Sequence, residues 1–389
     1  GLLVFCVSLF VLLSGGHLGS SDALEQLRAA IVLVQTGRFG VDHAFDPVLW
    51  NLAPNGWFYE VHDLGNTLLF LPCAMVHGRL APGSLEPSLP ARVGAALTTS
   101  ALAGLGVYWS IQGFRSLLPP QLHSWCWRLG LLFGFGTLFG PYSKASWDVL
   151  GCAVMATGLM AACFRYTDVG DCRPRPRPRL SQAAGLGILV AAAALFRYSA
   201  GPFLALGAVG VLLATPGGRS GKHLLAFGLA LALGLAPTLA YNALRSGVPW
   251  VSGNMVERYR HALGWSGDPL AGLIGLLVSP NRGVLCFCPP LILSVALALP
   301  RVRRRLSPRE RLACWSFGAA ALSYLGLIAG LKWWSSFGWG PRYLVPLLPA
   351  FFLPAALVLA QMGEHLSVGL GRIDKDWADV GLCGHPLTF

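Results

Sequence analysis

The chain has 389 residues, of which 54% are hydrophobic and only 12% are charged, and its mean hydropathy is +0.58. This balance excludes an ordinary soluble globular protein and indicates a multi-pass membrane protein. The formal net charge of +12 does not indicate nucleic-acid binding, because the arginines stand in short clusters between apolar runs, where the positive-inside rule explains them.

Ten apolar runs are long enough, or nearly long enough, to cross a bilayer, which takes roughly 17 to 25 helical residues. We therefore predict an all-α bundle of about ten transmembrane helices in one membrane domain, residues 1–363, followed by a short tail, 364–389. The first run is expected to be a retained anchor rather than a cleaved signal peptide. The predicted spans are 1–18, 93–113, 127–142, 146–165, 182–197, 200–215, 223–243, 282–299, 312–331 and 343–361.

A further apolar run, residues 65–76, is too short to span and is predicted to dip into the membrane without crossing it. With this choice, the arginine clusters at 173–179 and 301–305 fall on the cytoplasmic side, as the positive-inside rule requires. Residues 20–92 then follow the first span on the outer side, and we call them the external segment. The unusual polar residues of the chain gather on this outer side.

The external segment begins with a predicted amphipathic helix on the membrane surface, in GSSDALEQLRAAIVLVQTGRFG, residues 19–40. Asp22 and Glu25 stand at its start. A capping box explains both of them, with Asp22 as the N-cap and Glu25 as its structural partner. The same place makes Asp22 a rigidly mounted carboxylate near the bilayer, which suits a general base for a hydroxyl acceptor.

Other residues of the external segment are candidates for binding a sugar. Aromatic rings stack on the C–H faces of sugars, and carboxylates accept hydrogen bonds from hydroxyl groups. His62 and Asp63 are also potential ligands of a divalent cation, although two ligands alone make a weak metal site. The substrate-binding candidates are Glu25, Trp57, Tyr59, His62 and Asp63.

Four basic residues on the same side of the membrane are candidates for binding a phosphate: Arg197, Arg282, Lys332 and Arg342. An arginine near the hydrocarbon costs about 2.5–3.5 kcal/mol on insertion scales, so each arginine needs an anionic partner or a water-filled cavity. The planar guanidinium of Arg342 can bind a phosphate through two parallel hydrogen bonds, and Arg282 lies at a similar depth. For Lys332, snorkelling to the interface is an equally good explanation.

Six segments follow one another over most of residues 1–361: SSDALEQLRAAIVLVQTGRFG, YEVHDLGNTLLFLP, ALFRYSAGPFLAL, YNALRSGVPWVSGN, LLVSPNRGVLCFCPP and WWSSFGWGPRYLVPLLP. In their order and spacing the chain resembles the polytopic C-superfamily (GT-C) glycosyltransferases. The resemblance is to bacterial relatives of the dolichyl-phosphate-mannose protein mannosyltransferases and of lipid A aminoarabinose transferase. The chain departs from these families at HDLGN, where a Pro-Gly or Pro-Pro pair is usual.

The resemblance implies transfer of a sugar from a polyprenyl-phosphate donor to a hydroxyl of a lipid, glycan or protein. Asp22 matches the catalytic acid that these families carry in the first external loop. The implied location is the bacterial inner membrane, with the active site on the external face. No cofactor is required by this arrangement, and a divalent cation remains an option.

Two other functions are compatible with the sequence. A transporter or flippase for a lipid-linked or anionic substrate would use the same external cations, but an inverted internal repeat would be expected, and none is recognisable. A truncated and inactive relative would explain both chain ends. Purified protein given polyprenyl-phosphate sugars would separate the three, through turnover, translocation or neither.

Overall fold

The computed structural model describes residues 1–167, 179–215, 220–253, 267–331 and 341–379, with side chains as far as residue 363. In these ranges the chain is a helical bundle with a single two-stranded hairpin. The predicted all-α membrane architecture is confirmed. Lys332 lies outside the described residues.

The helices and strands of the described chain follow one another from the first span to the last. They are α1 Leu2–Leu12, α2 Ser21–Thr36, β1 Trp50–Leu52, β2 Phe58–Glu60, α3 Leu64–Leu69, α4 Leu71–Leu80, α5 Leu89–Leu117, α6 His123–Phe135, α7 Phe139–Ala145, α8 Asp148–Tyr166, α9 Leu180–Phe196, α10 Gly201–Ala214, α11 Gly221–Ser246, α12 Pro269–Val278, α13 Val284–Phe287, α14 Pro300–Arg305, α15 Pro308–Ala329 and α16 Leu348–Asp379. Short 3₁₀ helices occupy Pro120–Leu122, Tyr198–Ala200, Pro289–Ala298 and Arg342–Leu347.

Within the described ranges, four helices are long and apolar enough to cross a membrane: α8, α11, α15 and the continuous helix Arg342–Gly363. Shorter apolar helices, including α1 and α9, lie at other predicted spans. The predicted span 282–299 is divided into α13 and a 3₁₀ helix. Two consecutive prolines at the junction remove backbone donors and prevent a continuous α-helix.

The helix α8 lies at the centre of the bundle, packed against α5, α9 and the 3₁₀ helix Arg342–Leu347. Nearly all of its side chains are buried. Helices surrounded by lipid associate through close van der Waals contact, which small residues permit. At Gly158 an added Cβ would lie 2.7 Å from the Trp109 ring of α5, so a larger side chain would force the two helices apart.

The predicted helix at the start of the external segment is α2, but its apolar face does not lie on the membrane surface. Ala23, Leu27 and Ile31 are buried against Phe70 and Ala74, and α5 closes the same cluster. The covering helices α3 and α4 have 6 and 10 residues, which is too short to cross a bilayer and agrees with the predicted non-spanning run. Protein contacts therefore fix the position of α2.

A small antiparallel hairpin completes the external segment. Trp50 pairs with Glu60, and Leu52 pairs with Phe58. The hairpin is fastened to α2 because the Trp50 indole donates a hydrogen bond of 2.7 Å to Glu25. The residues that follow β2 are thereby held near the beginning of α2.

Candidate active site

The N-cap of α2 is Ser20, so the predicted capping role of Asp22 is wrong. The Ser20 hydroxyl accepts a hydrogen bond of 3.1 Å from the backbone N–H of Ala23. Both residue types cap helices well, and the chain uses the earlier one. Asp22 lies in the first turn instead, and its carboxylate is available for other partners.

Glu25 does not complete a capping box either. Besides the bond from Trp50, its carboxylate forms an ion pair with Arg28, which also contacts Glu86 at 2.6 Å. These contacts join α2 to the hairpin and to the end of the external segment. The structure thus places Glu25, a predicted substrate ligand, among groups that hold the external segment together.

Asp22 meets His62 and Glu60 in a linear cluster. The Oδ2 atom of Asp22 lies 3.2 Å from Nε2 of His62, and Nδ1 of the same imidazole contacts Oε1 of Glu60. The three side chains are 15%, 8% and 0% exposed, respectively. One imidazole therefore bridges two carboxylates, with almost no access for water.

Arg342 approaches Asp22 from the end of the chain. Its Nη1 atom lies 3.6 Å from Oδ2 of Asp22. The guanidinium stacks over the Trp147 ring, at 4.5 Å from the centroid, and Nη2 donates a hydrogen bond of 2.8 Å to the Tyr343 hydroxyl. The predicted base and the predicted phosphate ligand therefore lie in the same site.

The other predicted phosphate ligands have different surroundings. Arg197 is buried and paired with Asp148 at 3.1 Å, and its guanidinium lies over the ring of Tyr343. Arg282 and Arg342 both act electrostatically on Tyr142, which indicates that Arg282 lies near the same site. The structure thus provides an anionic partner for Arg197, which the sequence left unidentified.

Asp63 faces away from Asp22. One of its oxygens pairs with Arg245 at 3.1 Å, and the other accepts a hydrogen bond of 2.8 Å from the Tyr198 backbone. His62 and Asp63 therefore have different partners, with His62 between Asp22 and Glu60 and Asp63 between Arg245 and the Tyr198 backbone. No cluster of three potential metal ligands occurs in the part of the chain that the structure describes.

Arg245, which the sequence analysis did not select, fixes the backbone of this cluster. Besides its pair with Asp63, it donates hydrogen bonds to the carbonyl oxygens of Glu60, Val61 and His62. It is buried near the end of α11. A basic residue at the end of an apolar run was the only signal in the sequence, and membrane-flanking arginines share that signal.

The predicted aromatic ligands lie away from the Asp22 cluster. Tyr59 is buried against Tyr241, on the face of β2 opposite to Glu60, because neighbouring side chains of a strand point in opposite directions. Trp57 stacks with the guanidinium of Arg38. Glu60 is the last residue of β2, and the chain bends directly after it, which brings the His62 imidazole and backbone N–H onto the Glu60 carboxylate.

The charges of the cluster shift its protonation equilibria. Burial opposes ionisation of Asp22, but His62, Arg342 and Arg197 outweigh it and hold the pKa of this carboxyl below its ordinary value. Burial also opposes a charge on His62, yet the two neighbouring carboxylates raise its pKa well above the ordinary value. Burial raises the pKa of Glu60, against the opposing effect of His62. The resting cluster therefore contains an ionised Asp22 beside an imidazolium.

This protonation state predicts how stability depends on pH. The pKa of His62 is higher in the folded than in the unfolded chain. The charged imidazole therefore stabilises the fold fully below about pH 6.5, and this stabilisation is lost as the pH rises through the pKa of His62 in the folded chain. The unfolding temperature of the detergent-solubilised protein should fall with rising pH. The fall should be smaller in His62→Gln and unchanged in His43→Gln, whose imidazole is exposed. Equal slopes in wild type and His62→Gln would contradict the assignment.

Solved structures give the identity of the fold. The oligosaccharyltransferase AglB from Archaeoglobus fulgidus, in complex with an inhibitory peptide and a dolichol-phosphate, aligns over 100% of this chain and 52% of its own, with a TM-score of 0.52 and 12% identity. The apo form of that enzyme aligns over 96% and 51%, with a TM-score of 0.53 and 12% identity. The chain has the GT-C membrane fold.

Other comparisons add less. ArnT from Cupriavidus metallidurans, in the apo state, aligns over 92% of this chain and 59% of its own, with 19% identity and a TM-score of 0.47. The chain spans about half the length of the solved structures that it matches. No protein-family model matches it, and no curated protein matches it in sequence.

Several buried polar atoms on α2 and on the turn that follows α7 have no hydrogen-bond partner among the described residues. They include Nε2 of Gln26, Oγ of Ser146 and Nε1 of Trp147. Asn66 links two of these residues, since its amide donates to the Gln26 side chain at 2.8 Å and to the Ser146 carbonyl at 3.3 Å. Buried polar groups are normally satisfied, so this group of atoms suggests a place for a polar ligand.

Backbone strain occurs at the same place. Ser146 has φ of 57°, and it is the one non-glycine residue with a positive φ in the described ranges. Such conformations cost about 1–3 kcal/mol and concentrate at functional sites. At Gly19 an added Cβ would lie 2.9 Å from the Cα of Ala145, so the turn at Ser146 packs directly beside the start of α2. The candidate site is therefore built where these two segments meet Arg342.

Proposed function

We propose that the protein is an integral-membrane glycosyltransferase that moves a sugar from a polyprenyl-phosphate donor to a hydroxyl of a lipid, glycan or protein. The reaction takes place on the external face of a bacterial inner membrane. The observation that carries the proposal is the contact of Asp22 with Arg342 at 3.6 Å. A carboxylate and a guanidinium from opposite ends of the chain meet there, beside unpaired polar groups.

Asp22 acts as the general base. It accepts the proton of the acceptor hydroxyl while the oxygen of that hydroxyl attacks the anomeric carbon from the side opposite the phosphate, and the configuration inverts. The Ser20 cap and the buried face of α2 support this role, because they hold the carboxylate in one position. A fixed base needs no reorganisation as the reaction proceeds.

Arg342 stabilises the departing polyprenyl phosphate, and Arg282 adds positive charge nearby. A guanidinium can form two parallel hydrogen bonds with a phosphate, and these strengthen as negative charge develops on the leaving group. Arg197 contributes at longer range, since Asp148 already neutralises it. The dolichol-phosphate in the AglB complex, which is a polyprenyl phosphate, is consistent with such a donor. Lys332 remains a candidate for the same role.

Gln26, Ser146 and Trp147 bind the sugar. Their unpaired polar atoms are two N–H donors and a hydroxyl, which match the hydroxyl oxygens of a glycosyl ring. Leaving such groups without partners costs about 1–3 kcal/mol each, and a bound sugar recovers that energy. We therefore assign sugar recognition to these residues rather than to Tyr59 and Trp57, which contribute to the fold of the hairpin.

The proposal is tested with purified protein in liposomes and a set of radiolabelled polyprenyl-phosphate sugars. The set begins with polyprenyl-phosphate mannose, and water or added membrane lipid serves as the acceptor. Release of labelled sugar, or its transfer to lipid, supports the proposal. Movement of intact donor between leaflets without cleavage would indicate a flippase and would contradict it, as would the absence of both.

Replacing Arg342 with Lys is expected to raise KM for the donor about 10- to 100-fold. Lysine keeps the charge but loses the paired hydrogen bonds, and a hydrogen bond to a charged group is worth about 1.5–3 kcal/mol. The measurement is initial rate against donor concentration. Arg92→Lys is the matched control, because that arginine belongs to the external segment, is partly exposed and pairs with Glu86 instead of Asp22. An unchanged KM in Arg342→Lys would rule out the phosphate contact.

A further inference from the structure

We infer that Glu60 and His62 form a proton relay for Asp22: as Asp22 receives the acceptor proton, His62 passes its Nδ1 proton to Glu60. The inference rests on the proposed function, since it requires Asp22 to act as the base. Neither Glu60 nor His62 touches the acceptor, and both act through Asp22. Both are therefore positioning residues, and the only proton that moves between them is the Nδ1 proton of His62.

The geometry provides a continuous path. Nε2 of His62 lies 3.2 Å from Asp22, and Nδ1 contacts Oε1 of Glu60. The backbone N–H of His62 also donates to Oε1 of Glu60 at 3.0 Å, which fixes the carboxylate against the imidazole. An imidazole can release a proton from one nitrogen while the other stays protonated. Both nitrogens are used here, one toward each carboxylate.

Once the charge on His62 is gone, the surroundings of Glu60 favour a proton on that carboxyl. Its side chain is fully buried, and Oε2 has no hydrogen-bond partner in the described part of the chain. An ionised carboxylate with a bare buried oxygen is costly, and the neutral acid costs less. Burial accordingly raises the pKa of Glu60. The relay thus ends in a group that gains from becoming neutral.

The relay also resolves a difficulty with Asp22 as a base. The neighbouring imidazolium and arginines hold the pKa of Asp22 low, and a carboxyl with a low pKa is a weak base. When His62 gives its proton to Glu60, one positive charge beside Asp22 disappears. Arg342 and Arg197 still face Asp22, while Arg245 faces Glu60. Asp22 becomes more basic as the acceptor proton arrives.

The bonds and charges balance. The acceptor O–H bond breaks, an oxygen–anomeric carbon bond forms, and the anomeric carbon–phosphate bond breaks, with its electron pair leaving on the phosphate. The acceptor proton ends on Asp22, and the Nδ1 proton of His62 ends on Glu60. The cluster changes from two carboxylates and one imidazolium to two neutral acids and one neutral imidazole. After product release, Asp22 loses its proton to water and Glu60 returns its proton to His62.

The experiment is a proton inventory: the single-turnover rate measured in mixtures of H₂O and D₂O, with the liposome-embedded protein and the donor that the wild type cleaves. In the wild type two protons move together, so the plot of rate against deuterium fraction should curve. In Glu60→Gln only one proton moves. The plot should become linear and the rate should fall on the order of 10- to 100-fold, which is less than the loss of a general base itself.

The control is Asp42→Asn, which alters an exposed carboxylate paired with His43 on the same segment. Its rate and its curved plot should match those of the wild type. If Glu60→Gln does not fold, as judged by its unfolding temperature, His62→Gln takes its place with the same expectations.

A slower variant that keeps a curved plot would show that Glu60 only supports the structure, and it would overturn the relay. An unchanged rate would also overturn it. These failures differ from failure of the proposed function. If only the relay is wrong, the Asp22→Asn variant is still inactive. If the proposed function is wrong, Asp22→Asn is active, and Asp22 is then not the base on which the relay depends.

Discussion

Replacing Asp22 with Asn is expected to lower the rate of sugar transfer on the order of 100- to 10,000-fold, because general-base catalysis contributes that much. Asparagine keeps the size of the side chain and still accepts a hydrogen bond from His62, but it cannot take the acceptor proton. The rate is measured by release of radiolabelled sugar from the polyprenyl-phosphate donor. The donor KM should change little, since the phosphate ligands remain.

The variant should stay folded. Ser20, not Asp22, caps α2, and the apolar face of the helix is buried against α3, α4 and α5. Asp42→Asn again serves as the control. Full activity of Asp22→Asn would contradict the assignment of the base. Loss of activity together with loss of folding would show that Asp22 is needed for the fold. The role of Asp22 as a base would then be tested with Asp22→Glu, which retains a carboxylate and should recover part of the rate.

Replacing Arg245 with Met is expected to lower the free energy of unfolding by about 3–5 kcal/mol, the usual cost of removing one partner of a buried ion pair. The change leaves Asp63 as an uncompensated buried charge and removes the donor shared by the carbonyls of Glu60, Val61 and His62. Thermal unfolding in detergent gives the stability. Activity should fall with it, because His62 loses its fixed place.

A second substitution separates the two effects. In Arg245→Met with Asp63→Asn no buried charge is left alone, so part of the lost stability should return, while the loop from Glu60 to His62 stays unclamped and activity stays low. Arg38→Met is the control, since its guanidinium stacks on Trp57 at the edge of the hairpin. An Arg245→Met protein as stable and active as the wild type would show that the clamp has no energetic importance.

Hydropathy and the positive-inside rule predicted the helical bundle, since both depend on properties that the bilayer imposes on each segment separately. Asp22 and Arg342 were also recognisable as site residues. Their direct contact was not, because it joins two segments that lie at opposite ends of the sequence. The cap was assigned two residues too late, since Ser20 and Asp22 are both good caps and composition does not choose between them.

Adjacency in the sequence was misleading at His62 and Asp63. His62 and Asp63 suggested a common ligand, yet adjacent side chains diverge, and His62 bonds to Glu60 while Asp63 bonds to Arg245. The partner of Arg197 was hidden because Asp148 begins an apolar helix, where a single acid hardly changes the hydropathy. Pairwise contacts between distant segments determine these partners, and a single sequence does not encode them visibly.

The packing of α2 against protein determines how the site responds to the membrane. A helix floating at the interface would follow the bilayer surface, whereas α2 is anchored to α4 and α5 through Leu27 and Ile31. The headgroup of a lipid-linked donor, in contrast, moves with the surface when the hydrocarbon thickness changes. Lipids with longer or shorter acyl chains would thus displace the donor phosphate vertically relative to a stationary Asp22. Acyl-chain length would then tune the reaction without altering a single residue.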